Sequence, residues 1–220
     1  ACRSLVFLTI LLVKNKNLIQ ITKSECAPLI GIAPTNNAFD SIWAKGCLKF
    51  NDNTLHYIKS NRHITHVVLS STLKTYFNFA NGEFLTDQGP VKANYQLFVD
   101  SFKKTIVELS KLNITPIVIS PPPQGGFDIG ECLERKYGAA LLLRESCDIG
   151  YSEYLRNQKV VNKVLKEIEK VSTVIWLKDY LCDKEFCKVY MDDTFIYRDG
   201  GHLSISGSIK LLKDIDIIAL

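Results

Sequence analysis

The chain has 220 residues, of which 46% are hydrophobic and 23% are charged, which is the composition of a packed globular protein. This composition excludes a disordered, collagen-like or coiled-coil protein. The net charge of +4 comes from 27 Lys and Arg against 23 Asp and Glu spread along the chain, so nucleic acid is not an expected partner.

The longest apolar run, residues 5–13, lies near the start of the chain. It is too short to span a bilayer, which needs ~20 apolar residues. It also differs from a signal peptide, because Lys14 and Lys16 follow it where small cleavage-site residues belong. We therefore expect a soluble domain. Because the chain opens directly into this run without an initiator Met, we expect it to be a piece of a longer protein.

Short apolar runs alternate with longer segments whose apolar residues recur every three or four positions. The runs predict buried strands and the longer segments predict amphipathic helices. The predicted strands cover residues 18–22, 66–69, 117–119 and 174–177, and the predicted helices cover residues 93–112, 152–171 and 204–218. A small hairpin is predicted within residues 186–197, turning at Asp192 and Asp193, and residues 121–126 are predicted to form a loop by composition.

The alternation of buried-looking strands with helices predicts an α/β fold with a mostly parallel sheet and helices on both faces. In such folds the active site lies at the carboxyl ends of the strands. We therefore expect the chemistry in the segments that follow Leu69, Ile119 and Tyr197.

Six of the seven cysteines form pairs that are close in the sequence, namely Cys26 with Cys47, Cys132 with Cys147, and Cys182 with Cys187. Local pairing of this kind favours disulfides and an oxidising compartment. The connectivity stays open, because sequence alone cannot determine it, and buried free thiols are the alternative. A zinc site is not favoured, because the last pair lacks a second Cys or His pair at finger-like spacing.

A glycine-rich turn near the C-terminus, residues 197–204, carries the clearest chemical signal. Asp199 precedes His202 by three residues, and the two glycines between them allow a tight turn. A carboxylate on one ring nitrogen of a histidine fixes its tautomer and leaves the other nitrogen as a general base. Asp199 and His202 are therefore the predicted catalytic residues, with Ser204 as the N-cap of the last helix. The alternative is an exposed histidine in a capped polar turn.

The surroundings of this turn resemble a known family in several pieces that follow one another along the chain. Leu203 and Gly207 extend the turn to the ending D-x-x-H-L-S-x-x-G. The earlier pieces are residues 24–29 (SECAPL), 67–73 (VVLSSTL), 119–123 (ISPPP), 132–135 (CLER) and 181–183 (LCD). By these pieces the chain resembles the SGNH domain attached to acyltransferase-3 membrane proteins, which O-acetylate bacterial cell-surface polysaccharides. It departs from the family pattern where Ala27 replaces a Pro and Leu73 replaces a Trp.

The resemblance implies a flavodoxin-like three-layer α/β sandwich, with residues 1–220 as a single SGNH-like domain. It implies that Asp199 and His202 serve a Ser-His-Asp triad that O-acetylates sugar hydroxyls. The implied partners are a carbohydrate acceptor and an N-terminal acyltransferase-3 membrane domain of the same polypeptide, which would draw on acetyl-CoA. The chain itself shows no CoA-binding feature, and we expect it to bind no cofactor or metal directly. The implied location is the periplasmic or external face of the membrane, tethered to the membrane domain.

The nucleophile of this family lies in a G-D-S-H motif at the end of the first strand, and no such motif occurs in the 220 residues. Residues 1–13 match the helix that follows that motif. We therefore expect the domain to be truncated at its N-terminus, with the first strand and the serine upstream of Ala1. Ser4 lacks the Gly-Asp neighbours and is expected to be an ordinary helix residue. Without the serine, this chain alone is expected to be inactive.

Two other functions remain open at this point. A carbohydrate esterase would use the same residues, with water in place of the sugar hydroxyl, whereas a non-catalytic SGNH-like domain would keep the fold without the serine. The oxyanion hole is also unassigned, because residues 70–72 have no Asn at the family's motif position. Gly31, Gly46 and Asn78 are the candidates to supply its donors.

Overall fold

The computed structural model describes residues 17–77, 82–138, 141, 144–213 and 215. Its helices are α1 (Ser41–Ser60), α2 (Tyr95–Ser110), α3 (Ile129–Tyr137), α4 (Tyr151–Asn157), α5 (Lys159–Ile168), α6 (Lys178–Leu181) and α7 (Ile205–Lys213). Its strands are β1 (Ala33–Thr35), β2 (His66–Ser70), β3 (Glu83–Thr86), β4 (Gly89–Lys92), β5 (Thr115–Ile119), β6 (Ile149–Gly150), β7 (Thr173–Ile175), β8 (Phe186–Cys187), β9 (Tyr190–Met191) and β10 (Thr194–Phe195).

These elements group into two compact units. The sheet unit consists of residues 21–121 and 163–175, and the motif unit contains residues 122–162 and those from 176 onward. The motif unit carries the predicted catalytic turn.

A three-stranded parallel sheet in the order β2-β5-β7 forms the centre of the sheet unit. Its central strand, β5, places Ile119 opposite Ser70 on one side and Ile175 on the other. Ile117, Val118 and Ile119 are buried. Continuous apolar runs of this kind are typical of parallel strands covered on both faces, so the strands predicted from the apolar runs are confirmed here.

Helix α2 packs on β5 through the apolar face that the sequence spacing predicted. The buried positions on this face are Phe98, Phe102, Ile106 and Leu109. Burial of each such side chain stabilises the fold by about 1.5–3 kcal/mol. The helix begins where the Asn94 side chain accepts a hydrogen bond from the Leu97 amide at 2.9 Å, which satisfies one of the free donors of the first turn.

A second, antiparallel sheet in the order β1-β3-β4 lies beside helix α1 in the same unit. The disulfide Cys26–Cys47 links the segment before β1 to this helix. The buried hydroxyl of Tyr76 accepts a hydrogen bond from the Ala27 amide at 3.0 Å, which holds the same segment from the other side. The sequence pattern predicted neither this sheet nor helix α1.

Among the described residues, the motif unit contains the helices α3, α4, α6 and α7 and the short antiparallel strand pairs β6 with β8 and β9 with β10. The disulfide Cys132–Cys147 links α3 to the segment before β6, and Cys182–Cys187 joins the end of α6 to β8. Together with Cys26–Cys47, the structure therefore forms the three local cysteine pairs that the sequence favoured.

Several elements differ from the sequence predictions. Residues 18–22 form no strand. The helix predicted over 152–171 is two helices, α4 and α5, because the chain turns at Gln158, whose buried side chain bonds to the loop at 122–124. The predicted hairpin is limited to β9 and β10, because β8 pairs with β6 instead. The last helix is described only as far as Lys213.

The mixed α/β class with a parallel sheet is confirmed. Residues 5–13 lie outside the described residues, and a single domain over 1–220 stays a prediction. In the part of the chain that the structure describes, no helix has both the length and the apolar character needed to cross a bilayer.

Candidate acid–base site

The turn that follows β10 closes on itself through its backbone. Tyr197 and Leu203 form an antiparallel bridge, and the Arg198 amide donates to the His202 carbonyl at 2.9 Å. Ser204 then caps α7, because its hydroxyl accepts from the Gly207 amide at 2.8 Å. The turn is therefore closed at its base and anchored to the helix that follows.

Asp199 accepts hydrogen bonds through both of its carboxylate oxygens. Its Oδ1 accepts from the amides of Gly201 at 3.0 Å and His202 at 2.8 Å. Its Oδ2 accepts from Nε of Arg198 at 3.2 Å and from Nη2 at 3.0 Å. The His202 ring nitrogen Nδ1 lies 2.8 Å from Oδ1 and 2.9 Å from Oδ2. We name Asp199 and His202 together the dyad.

The electrostatics of the dyad keep Asp199 charged. Partial burial raises the pKa of its carboxyl group, but the Gly201 and His202 amides, the His202 ring and the Arg198 guanidinium lower that pKa to about 2. A charged carboxylate beside Nδ1 favours the imidazole tautomer whose proton is on Nδ1. Nε2 then carries the lone pair. The His202 side chain is 33% exposed.

Helix α3 supports the turn from one side. A Cβ on Gly130 would lie 3.0 Å from Cα of Asp199, and a Cβ on Gly200 would lie 3.3 Å from the Phe127 carbonyl oxygen. The backbones can lie this close because glycine has no side chain. The first turn of α3 therefore packs directly against the backbone of the dyad turn.

The loop of residues 122–126 contacts the turn as well. The buried Tyr197 hydroxyl donates to the Pro123 carbonyl at 2.7 Å, and Gln124 Nε2 lies 3.5 Å from the Gly201 carbonyl. Burial raises the pKa of Tyr197 well above its ordinary value, so the phenol stays a donor. Gln158 fixes the position of this loop, because its Oε1 accepts a hydrogen bond from the Gln124 amide at 3.0 Å. The loop therefore holds the turn that carries His202 at Tyr197 and Gly201.

The structure brings together the two residues that the sequence predicted as catalytic, Asp199 and His202. Their role stays a prediction. The oxyanion candidates Gly31 and Gly46 both lie in the sheet unit, Gly46 inside helix α1. Ser4 and Asn78 lie outside the described residues.

Sequence reasoning missed Arg198, although its position next to Asp199 was a usable signal. Its guanidinium makes two hydrogen bonds to the carboxylate that orients the ring. Within the described ranges, no group of three or more His, Cys, Asp or Glu side chains is placed to hold a metal ion.

The sheet unit contains a parallel sheet covered by helices, and the motif unit contains a histidine that a carboxylate holds just before the last helix. The family model described as SGNH domain (fused to AT3 domains) matches residues 6–216 of this chain. The chain therefore belongs to that family.

A solved structure with a similar fold is the periplasmic domain of a lipopolysaccharide acetyltransferase of Salmonella ser. Paratyphi A. The TM-score is 0.54 and the sequence identity is 18%, over 86% of this chain and 67% of that chain. At this identity the similarity shows the fold alone. No curated protein sequence matches the chain significantly.

Proposed function

We propose that this chain is the acyl-transfer domain of an O-acetyltransferase that modifies sugar hydroxyls of a cell-surface polysaccharide. The observation that carries the proposal is the contact between Asp199 and His202, within a chain that belongs to the SGNH family fused to AT3 domains. The name of the structural neighbour, a lipopolysaccharide acetyltransferase, supports acetyl as the group that is transferred.

The dyad supplies the proton transfers of a two-step reaction. In the first step, Nε2 of His202 takes the proton of a serine hydroxyl as the serine oxygen bonds to the acetyl carbonyl carbon. The bond from that carbon to the donor's leaving group breaks, and the imidazolium returns the proton to the leaving group. In the second step a sugar hydroxyl attacks the acetyl-serine and gives its proton to Nε2. The serine oxygen leaves and takes that proton back.

Asp199 acts through the ring throughout this sequence. Its carboxylate holds Nδ1 and lowers the energy of the imidazolium that forms in each step. Because the pKa of Asp199 is held at about 2, the carboxylate does not take up the proton itself near neutral pH. The aspartate is therefore a positioning residue, and His202 is the group that touches the reacting atoms.

The serine is proposed to lie upstream of Ala1, in the position that the family's motif order gives it. These 220 residues alone would then lack the nucleophile and would not form the acetyl-serine. Expression of the coding sequence upstream of Ala1 together with this chain supplies the protein for the tests that follow.

The proposed partner is an AT3 membrane domain in the same polypeptide, as the family description implies. That domain would draw acetyl groups from acetyl-CoA and present them to this one. The proposed location is the periplasmic or extracytoplasmic face of the membrane. Three disulfides support it, because such bonds form and persist in oxidising compartments.

The test uses the full-length protein with an activated acetyl ester and an oligosaccharide acceptor. His202→Ala is expected to abolish transfer while the melting temperature changes little, because the ring is part-exposed. His66→Ala is the matched control, since His66 is an exposed histidine whose Nδ1 lies 2.9 Å from the Thr65 hydroxyl rather than a carboxylate. Transfer by His202→Ala at the wild-type rate would refute the proposed role.

The same assay separates the other two functions. Free acetate without acetylated sugar, at saturating acceptor, would identify a carbohydrate esterase. A full-length protein that lacks the upstream serine and forms neither product would be identified as a non-catalytic domain.

A further inference from the structure

Three aromatic side chains form a surface cluster in the motif unit, which we name the aromatic patch. Its ring centroids are 5.5 Å apart for Tyr137 and Tyr190, 5.2 Å for Tyr137 and Phe195, and 5.0 Å for Tyr190 and Phe195. Tyr137 is 52% exposed, Phe195 is 41% exposed and Tyr190 is half-buried. The three rings contact one another and still leave a contiguous apolar surface exposed to water. Such surfaces often mark a binding site.

Helix α3 sets the distance between the aromatic patch and the dyad turn. Gly130, in its first turn, packs against the backbone of Asp199, and Tyr137 ends the same helix. The two positions are seven residues apart, which is about 10 Å along the axis at ~1.5 Å per residue. The aromatic patch is also linked to the dyad turn at Phe195 in β10, because the Ser204 hydroxyl donates to the Phe195 carbonyl. An oligosaccharide of a few sugar residues spans this distance.

Positively and negatively charged side chains lie near the rings. The Tyr190 hydroxyl donates to Asp193 Oδ1 at 3.0 Å, and Lys136 Nζ lies 5.8 Å from the Tyr137 ring centroid. Lys210 Nζ lies 2.7 Å from Asp192 Oδ2 at the hairpin turn. This combination of an apolar face and a hydrogen-bonding rim matches a pyranose ring, which has an apolar C–H face and hydroxyl groups at its edge.

The size of the patch argues against a protein partner. A fully buried aromatic side chain covers about 150–250 Å². Three partly exposed rings therefore offer on the order of 300 Å², whereas a stable protein–protein interface buries roughly 800 Å² on each side. The patch fits a small, ring-shaped ligand.

We propose that the aromatic patch is an acceptor subsite that stacks on a pyranose ring of the polysaccharide, a few sugar residues away from the one that is acetylated. This assignment rests on the proposed function. It adds that the acceptor lies along helix α3, from Tyr137 towards His202.

The experiment measures saccharide binding by saturation-transfer difference NMR on the full-length protein, without an acetyl donor. The probes are the trisaccharides of glucose, mannose, N-acetylglucosamine and galacturonic acid. Tyr137→Ala and Phe195→Ala are each expected to weaken binding by about tenfold or more, the loss typical of truncating an aromatic hot spot. Tyr137→Phe keeps the ring and is expected to bind within about twofold of wild type. Tyr180→Ala is the matched control, because Tyr180 is 37% exposed in α6 of the same unit.

The proposal is overturned if none of the four trisaccharides binds, or if the patch variants bind as well as Tyr180→Ala. It is also overturned if Tyr137→Ala converts a dimer into a monomer in analytical ultracentrifugation, because the patch would then contact a second copy. His202→Ala is expected to bind the trisaccharide normally. Acetyl transfer by His202→Ala at the wild-type rate would therefore refute the proposed function but not the subsite. Failure of the trisaccharides to bind would refute the subsite but not the role of the dyad.

Discussion

Replacing Asp199 with Asn changes the charge of the dyad while keeping its shape. In the wild-type chain the carboxylate accepts from the Gly201 and His202 amides and from Arg198, and it holds the His202 ring at Nδ1. An Asn oxygen can keep the bonds from the two amides. Its NH₂ group then faces the ring and donates to Nδ1. The ring is thereby forced to carry its own proton on Nε2, which removes the general base.

The expected effects on activity and on stability differ greatly in size. The wrong tautomer is expected to lower the rate constant for acetyl transfer by about 10³–10⁴-fold. The loss of unfolding free energy is expected to be only about 1 kcal/mol. The reason is that the Asp199 side chain is 36% exposed and its ion pairs are screened by water. The variant should therefore be folded and nearly inactive.

The stability difference should also depend on pH in a defined direction. The pKa of Asp199 is about 2 in the folded protein, below the ordinary value of 3.8. A lowered pKa means that the charged carboxylate stabilises the fold above about pH 4, and that this contribution is lost as the pH falls towards 2. The difference in unfolding free energy between wild type and Asp199→Asn is therefore expected to shrink over that range.

The assay is acetyl transfer to an oligosaccharide by the full-length protein, with urea unfolding measured on the same samples. Asp183→Asn is the matched control, because Asp183 accepts from the amides of Glu185 and Phe186 at 2.8 Å each and has no histidine partner. Full activity and little change in stability are expected for the control, because Asp183 is exposed and an Asn oxygen can keep both bonds. Full activity of Asp199→Asn, or an equal loss of activity in both variants, would refute the reasoning.

Other variants probe the frame around the dyad. Arg198→Gln removes one of the groups that lower the pKa of Asp199, so the pKa of that carboxyl group should rise in an NMR titration; an unchanged pKa would contradict this. Gln158→Ala should lower the melting temperature by about 5 °C, because two hydrogen bonds to the loop at 122–124 are lost from a buried side chain. Gly207→Ala should cost about 1–3 kcal/mol of unfolding free energy, since its Cβ would lie 2.6 Å from Cα of Ile196, the residue after β10. Ser208→Ala in the same helix should cost nothing, because its buried hydroxyl has no hydrogen-bond partner within the described residues.

The sequence predicted best where the signal is local. The runs at 66–69 and 117–119 form the strands β2 and β5, of which β5 is buried from Ile117 to Ile119 and β2 is buried at Leu69. The contact between Asp199 and His202 was also accessible, because the two residues are only three positions apart and the glycines between them allow a tight turn. Periodicity of the apolar residues likewise predicted helix α2.

The elements that were missed depend on tertiary contacts. Helix α1 buries Ala44, Cys47, Asn51 and Ile58, of which only Ile58 is a large apolar residue. Asn51 is buried because its amide donates to the carbonyls of Ala27 and Leu29 at 2.9 Å. No pattern in the helix itself shows such a partner, since the partners lie more than twenty residues away.

The aromatic patch was hidden from the sequence for the same reason. Tyr137 ends one helix, and Tyr190 and Phe195 lie in a hairpin far along the chain. The pairing of β9 with β10 places Tyr190 opposite Phe195, and the packing of α3 against the turn after β10 adds Tyr137 to them. Distant residues that share a surface cannot be grouped by spacing, whereas the dyad could be.

The central claim is that Asp199 holds His202 with its outer ring nitrogen ready to take a proton. The most direct measurement is the ¹⁵N NMR spectrum of the His202 ring in the full-length protein at a pH where the ring is neutral. A protonated Nδ1 and an unprotonated Nε2 are expected in the wild type, and Asp199→Asn is expected to reverse the two. A wild-type ring with its proton on Nε2 would show that Asp199 does not prepare His202 as a base.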